Sequence, residues 1–336
     1  MQRTTPAALC LSFLLLAAPF GCLLLPRRAA IPAPIPQPAA TARPGATAQF
    51  AQPAAPTPSA PAAQNALAAQ PVQLYDAAIG ARRSVEVVDF LVGAAACEMP
   101  PTWPEQALLA QMVASHSYVL SLGETPFSVN SALCAGWCGT DVLQSRWGDD
   151  YETHYTRLRA LAEQVCGALL LYGGEPAAAC YHAISNGRTE ASQNVWGGAL
   201  PYLQGVDSRW DTAADGYETE VTYTPAQLQT LLNGAVEQWG DDPAQWFGAP
   251  ELDAAGYVAR QTVCGTAFAG TALRRALGLR STDFSVRYNG ETFCITTRGY
   301  GHGVGLSQHG ARAMAQGGAD WREILAWYFP GTTVEE

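Results

Sequence analysis

From Ala94 to Leu122 the sequence runs AAACEMPPTWPEQALLAQMVASHSYVLSL, and this stretch constrains the fold more tightly than any other part of the chain. Thr102-Trp103-Pro104-Glu105 reads as a capping box, with Thr102 as the cap and Glu105 reaching back to it. Pro104 suits the first turn, where an N–H would be unpaired anyway. A helix of roughly five turns then extends to Ser121, with Leu108, Met112, Ser115 or His116, and Val119 along a buried stripe. Glu98 lies just before this rigid start, delivered by a helix around Val87–Ala95 and surrounded by Met99, Trp103 and alanines. An apolar pocket would raise the pKa of such a carboxyl and keep it protonated near neutrality, as a general acid needs. A surface-loop glutamate would also fit these residues.

The remaining composition narrows the function. The formal net charge is −10 over 336 residues, which disfavours nucleic acid as a partner. All 19 basic residues are arginine. Without lysine there is no Schiff-base lysine, Ser-Lys dyad or Walker A lysine. Arginine and glycine with few charges suit a polar, neutral or anionic polymer. Residues 7–25 are almost continuously apolar and long enough to span a bilayer or to act as a secretory signal. Pro26 to about Pro71 is Pro, Ala, Gln and Thr with almost no charge, the composition of a disordered tether.

Past the first helix, Cys134-Ala-Gly-Trp-Cys138 has a C-x3-C spacing compatible with two zinc thiolates, with free thiols or with half of a disulfide set. Residues 154–170 read as a helix, leading through a Gly173-Gly174 turn to a strand at Ala177–His182. Tyr181 to Glu190 and then Trp196 and Pro201-Tyr202-Leu203 form a loop rich in hydroxyl, amide and guanidinium groups beside flat rings. That combination binds sugars, although a hydrogen-bonded turn with Trp196 in the core would read the same way. Thr224 caps a short helix. Thr266–Leu277 reads as another, and two strands flank Asn289-Gly290, the strongest short hairpin signal. Arg298 to Arg312 follows, with glycines alternating at 299, 301, 303 and 305 so that one side of an extended segment is bare backbone. Asp320-Trp-Arg-Glu323 reads as a further capping box.

Three stretches resemble the SpoIID/LytB family of stage II sporulation protein D and amidase enhancers. They are Glu98-Met99-Pro100 with Trp103-Pro104 and Gln106 to Tyr118; Tyr181 to Glu190 with Val195-Trp196-Gly197 and Pro201-Tyr202-Leu203; and Gly299 to Ala311. They occur in family order and span nearly the whole globular part. Three positions depart from the pattern: His116 stands where the family has arginine, Gln204 where it has lysine, and His309 where it has an aromatic residue.

The resemblance implies a single α+β domain with a substrate cleft over residues 72–334. Helices 103–121, 154–170 and 307–316 would pack on a mixed sheet that includes the 284–297 hairpin. A signal-anchor segment (1–28) and a disordered linker (29–71) would precede the domain. The resemblance makes Glu98 the catalytic acid and His116, Ser185, Thr189, Glu190, Tyr202, His302 and Gln308 substrate-binding, with Thr189, Glu190, Tyr202, His302 and Gln308 lining the Glu98 cleft. No cofactor is required, and some family members hold a structural zinc near the positions of Cys134 and Cys138. The implied activity is a lytic transglycosylase that cuts peptidoglycan glycan strands, stripped of stem peptides, to 1,6-anhydro products during septal wall remodelling and engulfment. The alternative is a non-catalytic glycan-binding amidase enhancer. The implied partners are glycan strands, a cell-wall amidase resembling stage II sporulation protein P and a membrane scaffold. The implied location is the cell membrane, single-pass, with the domain on the extracytoplasmic side.

Overall fold

A computed structural model describes residues 67–336. The expected anchor, and the linker up to residue 66, lie outside the described residues. Among the described residues no helix is long and apolar enough to cross a membrane. The chain begins with strands β1 (Val72–Asp76) and β2 (Ala81–Val85), then helices α1 (Val87–Glu98) and α2 (Glu105–Ser121). Next come β3 (Phe127–Val129), α3 (Thr140–Trp147), α4 (Tyr151–Val165), β4 (Leu169–Tyr172), β5 (Glu175–Pro176), β6 (Tyr181–His182) and α5 (Ser192–Trp196). The middle part holds β7 (Glu218–Tyr223), α6 (Pro225–Leu231), β8 (Glu251–Leu252), β9 (Val258–Val263), β10 (Thr266–Ala269), α7 (Gly270–Ala276), β11 (Asp283–Tyr288) and β12 (Phe293–Arg298). It ends with β13 (Leu306–Ser307), α8 (Gln308–Gln316), α9 (Trp321–Tyr328) and β14 (Thr333–Glu335).

The architecture is mixed α/β, built from several small sheets in place of the one mixed sheet expected. β1 pairs antiparallel with β2 and parallel with β3. β4 lies between β14 and β5, and β6 pairs parallel with β13. The 283–298 hairpin joins β7, with Phe293 opposite Tyr223, and β9 lies between β8 and β10. Among the described residues there are three apolar clusters where one core was expected. The largest surrounds α1 and α2 and takes in α4, α8 and α9; the second is built by residues 228–295, and a small third joins Ala68 to Leu169 and Leu171 of β4. Thr266–Ala269 is a strand, not the start of a helix, because it pairs with Val263 back to Arg260.

α2 is the centre of the largest cluster. It is buried on nearly every side, including Gln111, Ser115, His116 and Ser117, and packs against α1, α4, α8, α9 and β4. A helix covered all round belongs to a fold's interior. Its start differs from the sequence reading: Pro104 occupies the cap position, no side chain caps the helix, and Glu105 turns to Arg157 at 3.7 Å. The Trp103 carbonyl accepts from Arg157 Nη2 at 3.0 Å, so a neighbouring helix holds this corner instead of Thr102. The expected boxes at Thr224/Gln227 and Asp320/Glu323 are both formed.

A buried carboxylate ties the loops together. Asp211 is fully buried and accepts from the Ser185 backbone N–H at 2.8 Å and from the hydroxyls of Ser185, Ser208 (3.1 Å) and Ser307 (2.8 Å). Ser208 shares a further bond with the Tyr328 hydroxyl at 2.7 Å, reaching α9. Ser307 also caps α8, accepting from the Gly310 N–H at 3.3 Å. The alternating glycines at 299, 301, 303 and 305 all have positive φ, so this segment is a run of left-handed turns, not an extended strand. At Gly305 (φ +74°) an added Cβ would fall 2.1 Å from the Cys180 carbonyl oxygen. Gly305→Ala should therefore cost roughly 3 kcal/mol or more in urea unfolding. Gly318→Ala, whose Cβ would meet open space at φ +96°, should cost about 1 kcal/mol.

Candidate active site

α1 ends on Glu98, whose side chain is half-buried at the junction with α2. The Gln308 amide, at the start of α8, donates to Glu98 Oε2 at 3.2 Å and to Gln111 Oε1 at 3.3 Å. Gln111 in turn donates to Ser115 Oγ at 3.0 Å, one turn along α2. Ser115 supports the Tyr181 hydroxyl, which lies close enough to Glu98 for burial first, and then the carboxylate's charge, to push the phenol far above its ordinary range. A chain of polar groups thus runs through an apolar interior. Burial raises the Glu98 carboxyl to about 7, only partly countered by the Gln308 hydrogen bond. The end of α1 acts in the same direction, since a helix C-terminus disfavours negative charge.

Of the residues expected from sequence, Gln308 is the one seen bonded to Glu98. His116 corrects its expectation. Its ring is fully buried beside the Ala168 backbone, without a hydrogen bond of good geometry at either nitrogen, and burial lowers it to about 4. It sits one residue past Ser115 and faces the core, where a polymer cannot reach it. Ser185 and Thr189 are also internal. Ser185 bonds Asp211, and Thr189 Oγ1 accepts from the Val206 N–H at 2.8 Å, closing its own loop. Tyr202 is buried against Tyr172, and its hydroxyl accepts from the Ala178 N–H at 3.0 Å. These three hydrogen-bond within the protein, and the contacts seen for Thr189 and Tyr202 do not reach Glu98.

Glu190 is almost fully buried. Its Oε1 accepts from the Ala191 N–H at 2.7 Å and from Asn194 at 2.9 Å, and its backbone N–H meets the Gly303 carbonyl at 2.7 Å. Burial, reinforced by Asp253, pushes it up to about 8. His302 is half-buried beside the Tyr181 backbone. Its Nδ1 accepts from the Val304 N–H at 3.1 Å, so the remaining proton sits on Nε2. Burial first, then His182 and Arg274, hold it well below the usual imidazole range. Its ring packs on Trp196 at 5.0 Å, and Trp196 is 53% exposed, not in the core. Gln111, Ser115, Tyr181 and Asp211 are not among the site residues expected from the sequence. Gln111 and Ser115 leave one signal, two polar side chains at i and i+4 on one side of the helix.

The thiols near α1 form a second group. Gly93 lets the 134–138 loop press against α1: an added Cβ there would meet the Cys138 carbonyl oxygen at 2.4 Å. Cys97, one turn further along the same face, thereby comes within 3.5 Å of Cys138 Sγ. The sulfurs of Cys97, Cys134 and Cys138 all lie within 4.8 Å of one another. Tetrahedral zinc with sulfur bonds of about 2.3 Å spaces its sulfurs by roughly 3.8 Å, so the three thiols fit such an ion. Hydrogen bonds from Cys138 and then Cys97 hold the Cys134 thiol far below its usual range, with Arg146 adding its charge.

Fold and site together define a mixed α/β protein in which a distant glutamine holds the Glu98 carboxyl. A family model described as "SpoIID: Stage II sporulation protein" matches residues 75–172. Stage II sporulation protein D of Bacillus subtilis (strain 168) is 31% identical over 304 residues, covering 87% of this chain and 87% of that protein. Stage II sporulation protein D of Bacillus amyloliquefaciens is 30% identical over 79% of this chain and 78% of its own length. The amidase enhancer of Bacillus subtilis (strain 168) is 27% identical over 70% of this chain and 39% of its own length. The chain belongs to the stage II sporulation protein D family.

Glu190 gives a direct test of the electrostatics. Its folded pKa is raised, so the stability it allows is full below about 4.5 and is lost as pH rises through about 8. Glu190→Gln, which keeps the acceptor oxygen, should flatten that decline. It should be more stable than the wild type by about 3 kcal/mol at pH 9 and nearly equal at pH 4 in denaturant titrations.

Proposed function

We propose that this protein is a lytic transglycosylase that cuts peptidoglycan glycan strands lacking stem peptides, with Glu98 as its only acid–base group. The observation that carries this reading is the Glu98 carboxyl, held by Gln308 at 3.2 Å in an apolar pocket and raised to about 7. Glycosidases that use water need a second carboxylate as nucleophile or base. No second carboxylate is seen bonded into the Glu98–Gln308–Gln111–Ser115 chain. One carboxyl is sufficient when the nucleophile is the sugar's own 6-hydroxyl. Glu98 gives its proton to the glycosidic oxygen as the bond from C1 breaks. As a carboxylate it then takes the 6-OH proton while O6 closes on C1. The product is a 1,6-anhydro sugar, no water is consumed, and Glu98 ends protonated. The Gln308 amide, bonded to Glu98, steadies the carboxyl through both steps. Trp196, exposed beside His302, offers a flat face for a sugar ring further along the strand.

In this reading the protein is held at the membrane by its N-terminal segment, works outside the cytoplasm on septal wall during sporulation, and acts with a cell-wall amidase and a membrane scaffold. The likeness to an amidase enhancer supports a second reading, in which the cleft holds glycan for a partner amidase without cutting it. Glu98→Gln separates the two. It keeps shape and hydrogen bonding but cannot donate the proton. The full-length variant in detergent should release no anhydro-sugar ends by mass spectrometry, a loss of at least about a thousandfold, while glycan affinity stays within about threefold. A wild type that binds glycan but forms no 1,6-anhydro ends would leave the enhancer reading standing.

Cys134 and Cys138, with Cys97 as a third thiolate, are proposed to hold a structural zinc that locks the 134–138 loop onto α1. When bound, the ion supplies cross-linking, not a reaction step. Elemental analysis of protein produced with added zinc should find close to one equivalent per chain. Cys134→Ser or Cys138→Ser should lose it and lower the melting temperature.

A further inference from the structure

Arg280 and Arg312 are among the described arginines without a counter-ion. Among the described residues no carboxylate lies within 4.0 Å of Arg280 or Arg312, whereas Arg83, Arg157, Arg159, Arg209, Arg260, Arg298 and Arg322 all have one. The Nε of each is buried without a hydrogen-bond partner. Each guanidinium is laid against an aromatic ring, Arg280 at 4.0 Å from the centroid of Tyr300 and Arg312 at 5.0 Å from that of Trp103. Stacking of this kind fixes the plane of the guanidinium and leaves its edge N–H groups free for a planar anion.

The two groups are linked through His309, whose backbone N–H donates to the Ala183 carbonyl at 3.0 Å, next to Ile184, which pairs with the Tyr300 that carries Arg280. Both depress the same imidazole, His309, after the larger effect of burial, and His309 stands edge-on to Trp103 at 5.0 Å. His309 follows Gln308, whose amide holds Glu98, and Arg312 lies four residues after Gln308 on the same face of α8. His309 is lowered to about 4 and so adds no positive charge at neutral pH. Asp215 also faces His309, but it is exposed and pairs with neither arginine. The family pattern's basic residues are replaced here at His116 and Gln204. His116 is buried in the core, and Gln204 donates to the Leu200 carbonyl at 2.8 Å. Neither position supplies a cation, and the unpaired Arg280 and Arg312 lie elsewhere in the chain.

Given the glycan-cleaving reading on which this rests, the anion that a strand would present is the lactyl carboxylate of a muramic acid unit. We infer that Arg280 and Arg312 form an anionic subsite for that free carboxylate beside the bond at Glu98, and so select strands from which stem peptides have been removed. A stem peptide converts the same carboxyl into an amide, which has no charge and one oxygen fewer for a bidentate guanidinium.

The test uses the full-length chain in detergent micelles and three saccharides of equal length. One carries free lactyl carboxylates, one has them as methylamides, and chitotetraose has no lactyl group. By calorimetry the wild type should bind the free acid about tenfold tighter than the methylamide, a preference that shrinks with added salt. Arg280→Gln and Arg312→Gln should each reduce that preference, and the double variant should abolish it while chitotetraose affinity is unchanged. Equal binding of acid and methylamide by the wild type, with chitotetraose still bound, would overturn the subsite and leave the glycan reading intact. A preference that survives in the folded double variant would also overturn it. Failure to bind any of the three removes both. If the variants do not fold, the acid-to-methylamide ratio of the wild type across salt decides alone.

Discussion

The arrangement around Glu98 depends on the buried carboxylate of Asp211. A charge in the interior is tolerated only when donors surround it, and Asp211 has donors from Ser185, Ser208 and Ser307. Burial still pushes its pKa up against those hydrogen bonds. The arrangement constrains three segments far apart in sequence at once. The Ser185 loop, the turn at Ser208 and the start of α8 can move relative to one another only by exposing an unsatisfied charge. Because Ser307 also caps α8, the position of Gln308 follows from that of Asp211. Neither Asp211 nor Ser307 touches Glu98 in this structure, yet together they fix the residue that does.

Polarity in the interior is arranged as two connected networks. One runs from Glu98 through Gln308, Gln111 and Ser115 towards Tyr181; the other surrounds Asp211 and extends through Ser208 to Tyr328. They meet at the Ser307–Gln308 step, where β13 gives way to α8. A satisfied network rigidifies the groups within it, whereas a half-satisfied one is costly. This explains why Ser185 is fully buried, while Thr189 is buried by hydrogen bonds within its own loop. Their hydrogen bonds shape the loops that carry Trp196 and His302 nearer the surface.

Local signals in the sequence translated well. The Thr224 and Asp320 capping boxes formed, the Asn289-Gly290 hairpin formed, and α1 and α2 lie where apolar spacing put them, with α1 running three residues further to include Glu98. The departures come from tertiary contacts that no local pattern encodes. Thr102 does not cap α2 because Arg157, from α4, takes the corner. Thr266–Ala269 has helical composition but a strand partner in β9. His116 is read from spacing as one of two choices for a buried stripe, and the helix proves to be covered on both sides. Asp211 stood among other acids of an irregular stretch, and only the convergence of Ser185, Ser208 and Ser307 makes it stand out. Cys97 likewise gained its place beside Cys138 from the close approach that Gly93 allows.

The Gln308 side chain has one consequence that its hydrogen bonds already contain. An amide nitrogen has two hydrogens, and here Glu98 and Gln111 take one each. Both donors are committed, so the amide cannot flip without losing both bonds. Among the described residues no donor is seen bonded to its carbonyl oxygen. Turning this one amide over would therefore break a tie to α1 and a tie to α2 together.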